Sequence, residues 1–192
     1  MHYLIYHADN PCPPLLKPNE LDAVEQEAFS RRGESYLRIR SILKHELARL
    51  SGVPAESIRF TYTAHGKPIF DSQPFNMSHS GDLLCLAFHH RDIGVDIEKV
   101  RERPGMKTTA RRFMCDEQLH AWHERGCPSE DFFACWCAAE AIVKRYGASI
   151  WHAPQYPFLY KNGCILPQFP QAPEIKLFTP APGYQGAVAW QE

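Results

Sequence analysis

Apolar side chains follow two different rhythms along this chain, and the change between them divides the sequence. Tyr36, Leu43, Leu47 and Leu50 recur at intervals of three, four and seven. That spacing marks one face of an α-helix and predicts a helix from about Glu34 that stops at Gly52. A shorter helix is predicted upstream, with Asn19 as its N-cap and Glu20 and Asp22 in its first turn, where the helix dipole favours acids. It runs to about Arg32 and is interrupted at Gly33. Strand-like segments then follow at 58–63, 83–88 and 93–97, with turns at His65-Gly66 and across 89–92. The segment Phe75-Asn-Met-Ser-His-Ser-Gly81 reads as a turn leading into the second of these strands. A basic, polar connection spans 99–112, and a helix is predicted from Ser129, with Glu130 and Asp131 in its first turn and Gly147 at its end. Asn162-Gly163, between Phe158-Leu-Tyr and Cys164-Ile-Leu, predicts a tight hairpin. Strands, helices and strands again, without regular βαβ alternation, predict an α+β fold.

Composition narrows the class without naming a chemistry. The chain has 192 residues, 44% hydrophobic and 22% charged, enough for one large domain or two small ones sharing a core. A net charge of −1 gives no global field toward nucleic acid or membrane, so any electrostatic recognition is local. The opening Met1-His-Tyr-Leu-Ile-Tyr-His7 lacks a basic, long apolar leader pattern and reads as a first strand. No segment reaches the length of a membrane span. Seven irregularly spaced cysteines, the closest pair being Cys135-x-Cys137, are expected to be reduced thiols in a cytoplasm rather than a disulfide framework.

Four groups of residues carry candidate chemistry. On a strand Asp96 and Glu98 share a face, and two adjacent carboxylates repel unless a cation sits between them; hard oxygen ligands suit Mg²⁺. Alone, the pair reads more readily as a solvated strand edge. Glu140 and Lys144 are neighbours on one helix face with Trp136 a turn before them, which describes either a third carboxylate with a phosphate-binding lysine or a surface ion pair. Ser78, His79 and Ser80 cluster donors suited to a phosphate, or are ordinary loop residues. Gly66-Lys67-Pro68 adds a cation on a turn upstream. Arg40 and Lys44 lie beside or within an apolar helical stripe, where a cation needs an anionic partner or a route to water.

The order Gly66-Lys-Pro, Phe75-Asn-Met-Ser-His-Ser, Gly94-Val-Asp-Ile-Glu, Arg112-Phe-x-x-x-Glu117 and Trp136-x-x-x-Glu140-Ala-x-x-Lys144 resembles the phosphopantetheinyl transferase superfamily. Within it, the chain is similar to the monomeric surfactin-type enzymes and their short bacterial relatives, from about Arg31 to Gly147. The resemblance implies two similar α+β halves, 1–92 and 93–192, related by a pseudo-twofold with the active site between them. It implies transfer of the phosphopantetheine arm of coenzyme A to a serine of an apo carrier protein, an acidic helical domain, with release of adenosine 3′,5′-bisphosphate. It implies that Asp96, Glu98 and Glu140 hold Mg²⁺, and that Lys144 contacts a pyrophosphate oxygen. Arg40, Lys44, Lys67, Pro68, Ser78 and His79, with Asp96, are implied in binding coenzyme A, and Glu140 in deprotonating the serine. Glu117 matches a position of structural or supporting role. The family's Trp-x-x-Lys-Glu-Ala has alanine here at position 139, so one cation of the site is missing, and a lysine restored there is expected to reach the phosphates.

Three further expectations complete the reading. The run Lys99, Arg101, Arg103, Lys107, Arg111 and Arg112 is either a solvated connection or a docking surface for the acidic carrier. His120 and His123, with Cys115 and Cys127 nearby, match no standard zinc spacing and read as residues of a surface helix. Two rival functions stand beside transfer: an inactive coenzyme A- or carrier-binding relative, and an unrelated Mg²⁺-dependent phosphohydrolase.

Overall fold

The computed structural model describes residues 1–8, 12–102 and 104–192; Arg103 of the basic run lies outside the described residues. Contacts group the chain into two compact units: Met1–Tyr6 with Phe75–Glu192, and His7–Pro74. Mixed helix and sheet make the fold α+β, as expected.

In the larger unit two three-stranded sheets carry the architecture. One has the order β1 (His2–His7), β5 (Leu83–Phe88), β4 (Phe75–Ser80); the other has β6 (Ile93–Lys99), β10 (Tyr184–Trp190), β9 (Glu174–Phe178). β4 and β5 run antiparallel through a turn at Gly81, and β6 pairs antiparallel with β10 so that Asp96 lies opposite Ala187 and Glu98 opposite Gln185. The strand rhythm of β6 works as read: Val95 and Ile97 point into an apolar cluster with Leu83, Cys85 and Val188, which leaves Asp96 and Glu98 on the opposite face.

Helix α5 (Ser129–Arg145) begins where the sequence places it and buries Phe133, Ala138, Ala141 and Ile142 in the main core. Its contact with β6 is unusually close. A Cβ at Gly94 would fall 1.9 Å from the Ala141 carbonyl oxygen and 2.6 Å from the Arg145 nitrogen, so only glycine admits the helix at this distance.

The remaining elements refine the expectations. β4 replaces the predicted turn at 75–80. Asn76 and Ser78 are buried and, with half-buried Ser80, bond to β6, as described below, while His79 between the serines is exposed. The basic connection contains a short helix, α3 (Met106–Ala110), anchored by fully buried Ala110. α4 (Asp116–Glu124) carries His120 and His123, and His120 pairs with Glu124 in solvent. Glu117 is exposed and pairs with Lys161, which places it at the surface. The hairpin of β7 (Phe158–Lys161) and β8 (Cys164–Pro167) turns through Asn162 and Gly163, both left-handed at φ 51° and 76°, as an Asn-Gly turn requires. Asp92, near the expected boundary between halves, lies in the turn between β5 and β6, inside the larger unit.

The smaller unit is built on α1 (Ala23–Arg32) and α2 (Glu34–Ser51), with a two-stranded ribbon, β2 (Thr61–Tyr62) and β3 (Pro68–Ile69), turning at Gly66. The first helix starts later than predicted. Asp22, not Asn19, is its N-cap, because Asp22 Oδ1 accepts the Glu25 N–H at 2.8 Å while Glu25 Oε2 accepts the Asp22 N–H at 3.0 Å. The same Glu25 oxygen accepts from the Lys44 ammonium at 2.7 Å, and both side chains are fully buried. Arg40 donates to the Tyr36 hydroxyl at 2.9 Å, and its guanidinium carbon lies 5.4 Å from the Phe60 ring centre. The cations on the apolar stripe of α2 thus find their anion on α1, nineteen residues upstream of Lys44.

Candidate active site

Three elements of the larger unit bring the candidate residues together. β4 supplies Met77, Ser78 and His79, β6 supplies Asp96 and Glu98, and α5 supplies Glu140 and Lys144; together they line a cavity of about 340 Å³. The sequence singles out six of these seven residues, in separate motifs; it does not single out Met77. Arg40, Lys44, Lys67 and Pro68 belong to the other unit, where Lys44 is committed to Glu25.

Charge in the cavity is organised around Asp96. Its Oδ1 accepts from the Lys144 ammonium at 2.6 Å and from the Ser78 hydroxyl at 2.7 Å. Its Oδ2 is buried and accepts no N–H or O–H hydrogen bond; the neighbouring group on this carboxylate is the Cys137 thiol. Glu98 Oε2 accepts from the Ser80 hydroxyl at 2.7 Å. Lys144 also reaches the Val95 carbonyl at 3.4 Å. Burial works against the Lys144 ammonium, but Asp96 and Glu140 outweigh it and hold its pKa above the ordinary value, so it stays charged. Among the described residues, no group of three His, Cys, Asp or Glu side chains is placed so that it could already hold a metal ion. The arrangement is an ion pair with two further carboxylates at its side.

Glu140 is the strained member. Burial, followed by the repulsion of Asp96 and Glu98, raises its pKa from the ordinary 4.5 to about 7, even though Lys144 pulls the other way. The sign of the consequence is fixed. The unfolded chain releases this proton near pH 4.5, whereas the folded chain keeps it to about 7, so stability falls as pH rises through that window. In a chelator-containing buffer, the melting temperature of the wild type should therefore drop relative to that of Glu140→Gln between these pH values. Parallel curves for the two proteins would show that Glu140 is not desolvated.

Position 139 differs from expectation. Ala139 is 1% exposed and sits in the apolar core with Phe133 and Ile142, not beside the cavity. The flank of α5 next to Glu140 is covered by the core. Ala139→Lys should thus destabilise the protein through a buried ammonium instead of adding a useful cation, and the check is a chemical unfolding curve. An unchanged midpoint would mean that the lysine escapes to the cavity after all.

No cysteine serves as a nucleophile beside these carboxylates. Burial pushes the Cys85 thiol up to about 12, and holds Cys137 well above the ordinary value, with Asp96 and Glu98 adding to the effect.

Comparison with known proteins identifies relatives of the chain. The model of the 4′-phosphopantetheinyl transferase superfamily matches residues 92–159, which hold Asp96, Glu98, Glu140 and Lys144. The 4′-phosphopantetheinyl transferase HetI of Nostoc sp. is 30% identical over 70% of this chain and 61% of its own length. AcpT of Escherichia coli (strain K12) is 33% identical over 73% of this chain and 68% of its own. Sfp of Bacillus subtilis (strain 168) is 27% identical over 77% and 69%. With a third of the aligned positions shared across more than two thirds of AcpT, and with the matched segment supplying Asp96, Glu98, Glu140 and Lys144 to the cavity, the chain belongs to the 4′-phosphopantetheinyl transferase superfamily.

Proposed function

We propose that this protein transfers the phosphopantetheine arm of coenzyme A to a serine of an apo acyl or peptidyl carrier protein and releases adenosine 3′,5′-bisphosphate. The observation that carries the reading is the convergence of Asp96, Glu98, Glu140 and Lys144 on one cavity, with the Asp96 Oδ2 buried and without an N–H or O–H donor. A buried carboxylate oxygen with no such donor is costly unless a cation satisfies it. Three carboxylates present the hard oxygen set that suits Mg²⁺, so the residues fit the ion, and Asp96, Glu98 and Glu140 would hold it. When bound, Mg²⁺ would neutralise charge on the coenzyme A pyrophosphate.

The chain's own groups supply the rest. Lys144 stays an ammonium beside Asp96 and offers its charge to a pyrophosphate oxygen. His79 is exposed at the cavity wall, where it can donate to a phosphate. Glu140, directly or through water, takes the proton from the carrier serine as that oxygen bonds to the β-phosphorus, and the bond to the adenosine bisphosphate oxygen breaks. Arg40, Lys67 and Pro68 are proposed for the nucleotide end, and Arg40 retains one buried guanidinium nitrogen, Nη1, without a hydrogen-bond partner. Lys44, proposed with them, is bonded to Glu25. Two pseudosymmetric halves, action as a monomer and a cytoplasmic setting, where coenzyme A and reduced thiols coexist, belong to the same reading. All seven cysteines are free, and among the described residues no helix is long and apolar enough to cross a membrane.

Alanine at position 139, where the family has lysine, is the feature that would favour an inactive relative. Because that residue lies in the core, its identity removes no side chain from the cavity lining. The functional test is product analysis in Mg²⁺ with and without apo carrier protein. Carrier-dependent adenosine 3′,5′-bisphosphate supports transfer, whereas free phosphate points to hydrolysis and neither product to a binding protein.

The carrier is proposed to dock on the basic connection. Lys99, Arg101, Lys107, Arg111 and Arg112 are exposed, and Arg112 lies 5.7 Å over the ring of Trp151, itself 63% exposed. The Michaelis constant for the carrier should rise steeply with salt, and Lys107→Glu with Arg111→Glu should raise it further while leaving that for coenzyme A unchanged. A salt-independent constant would leave these residues as a solvated connection.

A further inference from the structure

β4 and β6 belong to different sheets and share no backbone ladder, yet they are joined by side chains at every second residue. The Val95 N–H donates to Asn76 Oδ1 at 3.2 Å, the Ile97 N–H to Ser78 Oγ at 3.3 Å, and the Lys99 N–H to Ser80 Oγ at 3.1 Å. Three polar side chains on one face of β4 thus satisfy three N–H groups of the open edge of β6, which would otherwise need water or another strand.

The two serines do something the asparagine does not. Each hydroxyl accepts from one β6 N–H and donates its single proton to the carboxylate one residue earlier: Ser78 to Asp96, and Ser80 to Glu98, both at 2.7 Å. A hydroxyl has one donor and two acceptor sites. The N–H therefore settles which way the proton points, and the proton settles where the carboxylate oxygen lies. At the third position the preceding residue is Gly94, which has no carboxylate to hold, and an acceptor-only contact from Asn76 is sufficient. The residue types follow the chemistry required at each step of the register.

We propose that Ser80 is a positioning residue: it fixes the Glu98 carboxylate through this relay, so that the cavity presents a pre-oriented oxygen to a divalent cation. Ser78 performs the same task for Asp96, but it also lines the cavity, where a ligand contact would confuse its test; Ser80 is not among the lining residues. The proposal rests on the metal assignment above and adds the group that orients one of its ligands. Losing such a partner typically weakens metal binding by about 10- to 100-fold.

The test compares wild type, Ser80→Ala and Ser80→Thr by crystallography and by calorimetric titration with Mg²⁺ in the presence of coenzyme A. Threonine keeps the hydroxyl on a strand that tolerates β-branching. In Ser80→Thr the Glu98 carboxylate should keep its place and Mg²⁺ affinity should stay near that of wild type. In Ser80→Ala the carboxylate should leave its position and affinity should fall about 10- to 100-fold. A Glu98 carboxylate that stays in place in Ser80→Ala overturns the proposal, as does unchanged Mg²⁺ affinity once it has moved. The crystallographic outcome does not depend on transfer: if the wild type fails to modify any carrier, the function proposed above fails while the position of Glu98 is still read.

Discussion

Asp96→Asn should reduce phosphopantetheine transfer by at least the roughly 10²- to 10³-fold typical of losing one preorganised electrostatic group. The substitution keeps the shape of the side chain and a carbonyl to accept from Ser78, but it removes the charge that Lys144 faces at 2.6 Å. It also offers an amide where the buried Oδ2 now sits, and an amide nitrogen repels the cation that this oxygen suits. Asp96→Ala is the less informative variant. Asp96 is 4% exposed and is the counter-ion of Lys144, so truncation leaves a largely enclosed ammonium without its partner, and stability should fall along with activity. The carboxylate is therefore tied to structure as well as to chemistry: both variants should lower the melt, the asparagine variant less, because its carbonyl can still accept from Lys144 and Ser78. Turnover of Asp96→Asn within about tenfold of wild type would remove Asp96 from the chemistry.

Gly94→Ala should be the most damaging small substitution in the larger unit. Its Cβ would lie 1.9 Å from the carbonyl oxygen of Ala141 and 2.9 Å from the carbonyl carbon of that residue. Both are backbone atoms of a helix, so no side chain can swing aside to make room. Either α5 lifts from β6 or the strand bends, and the cost should exceed the ~1–3 kcal/mol usual for overpacking. The damage should also reach the cavity. Ala141 and Arg145 are the residues immediately after Glu140 and Lys144, so a displacement of the helix separates Lys144 from Asp96. Protein that still folds at low temperature should have lost more activity than its folded fraction explains. A Gly94→Ala variant with wild-type stability in urea would mean that the helix is not seated so closely.

What was legible in the sequence was whatever depended on one element at a time. The alternation of Asp96 and Glu98 with Val95 and Ile97 placed the carboxylates on one face because a strand has a two-residue period. The start of α5 at Ser129 was readable from Glu130 and Asp131 in its first turn. What depended on a second element was hidden. β4 looked like a turn because Asn76, Ser78 and Ser80 are loop-forming types, and nothing local shows that their partners are the β6 N–H groups about nineteen residues later. Asn19 and Asp22 are both good caps; Glu25, reaching back to Asp22, decides between them. The need of Lys44 for an anion was readable from its place on an apolar stripe, but the identity of that anion was not. Position 139 is next to Glu140 in sequence, yet only the packing of α5 shows that its side chain faces the core and not the phosphates.

The central claim is that the cavity of Asp96, Glu98, Glu140 and Lys144 performs carrier-protein modification. Intact-mass analysis of apo carrier proteins, incubated with this protein, coenzyme A and Mg²⁺, tests it most directly. The account predicts that a carrier gains one phosphopantetheinyl group on a serine, and that the gain disappears when Asp96→Asn replaces the wild type or a chelator removes the metal. A mass increase that persists at the wild-type rate with Asp96→Asn, or apo carriers of the fatty-acid, polyketide and peptide-synthase types that all remain unmodified by the wild type, would contradict it.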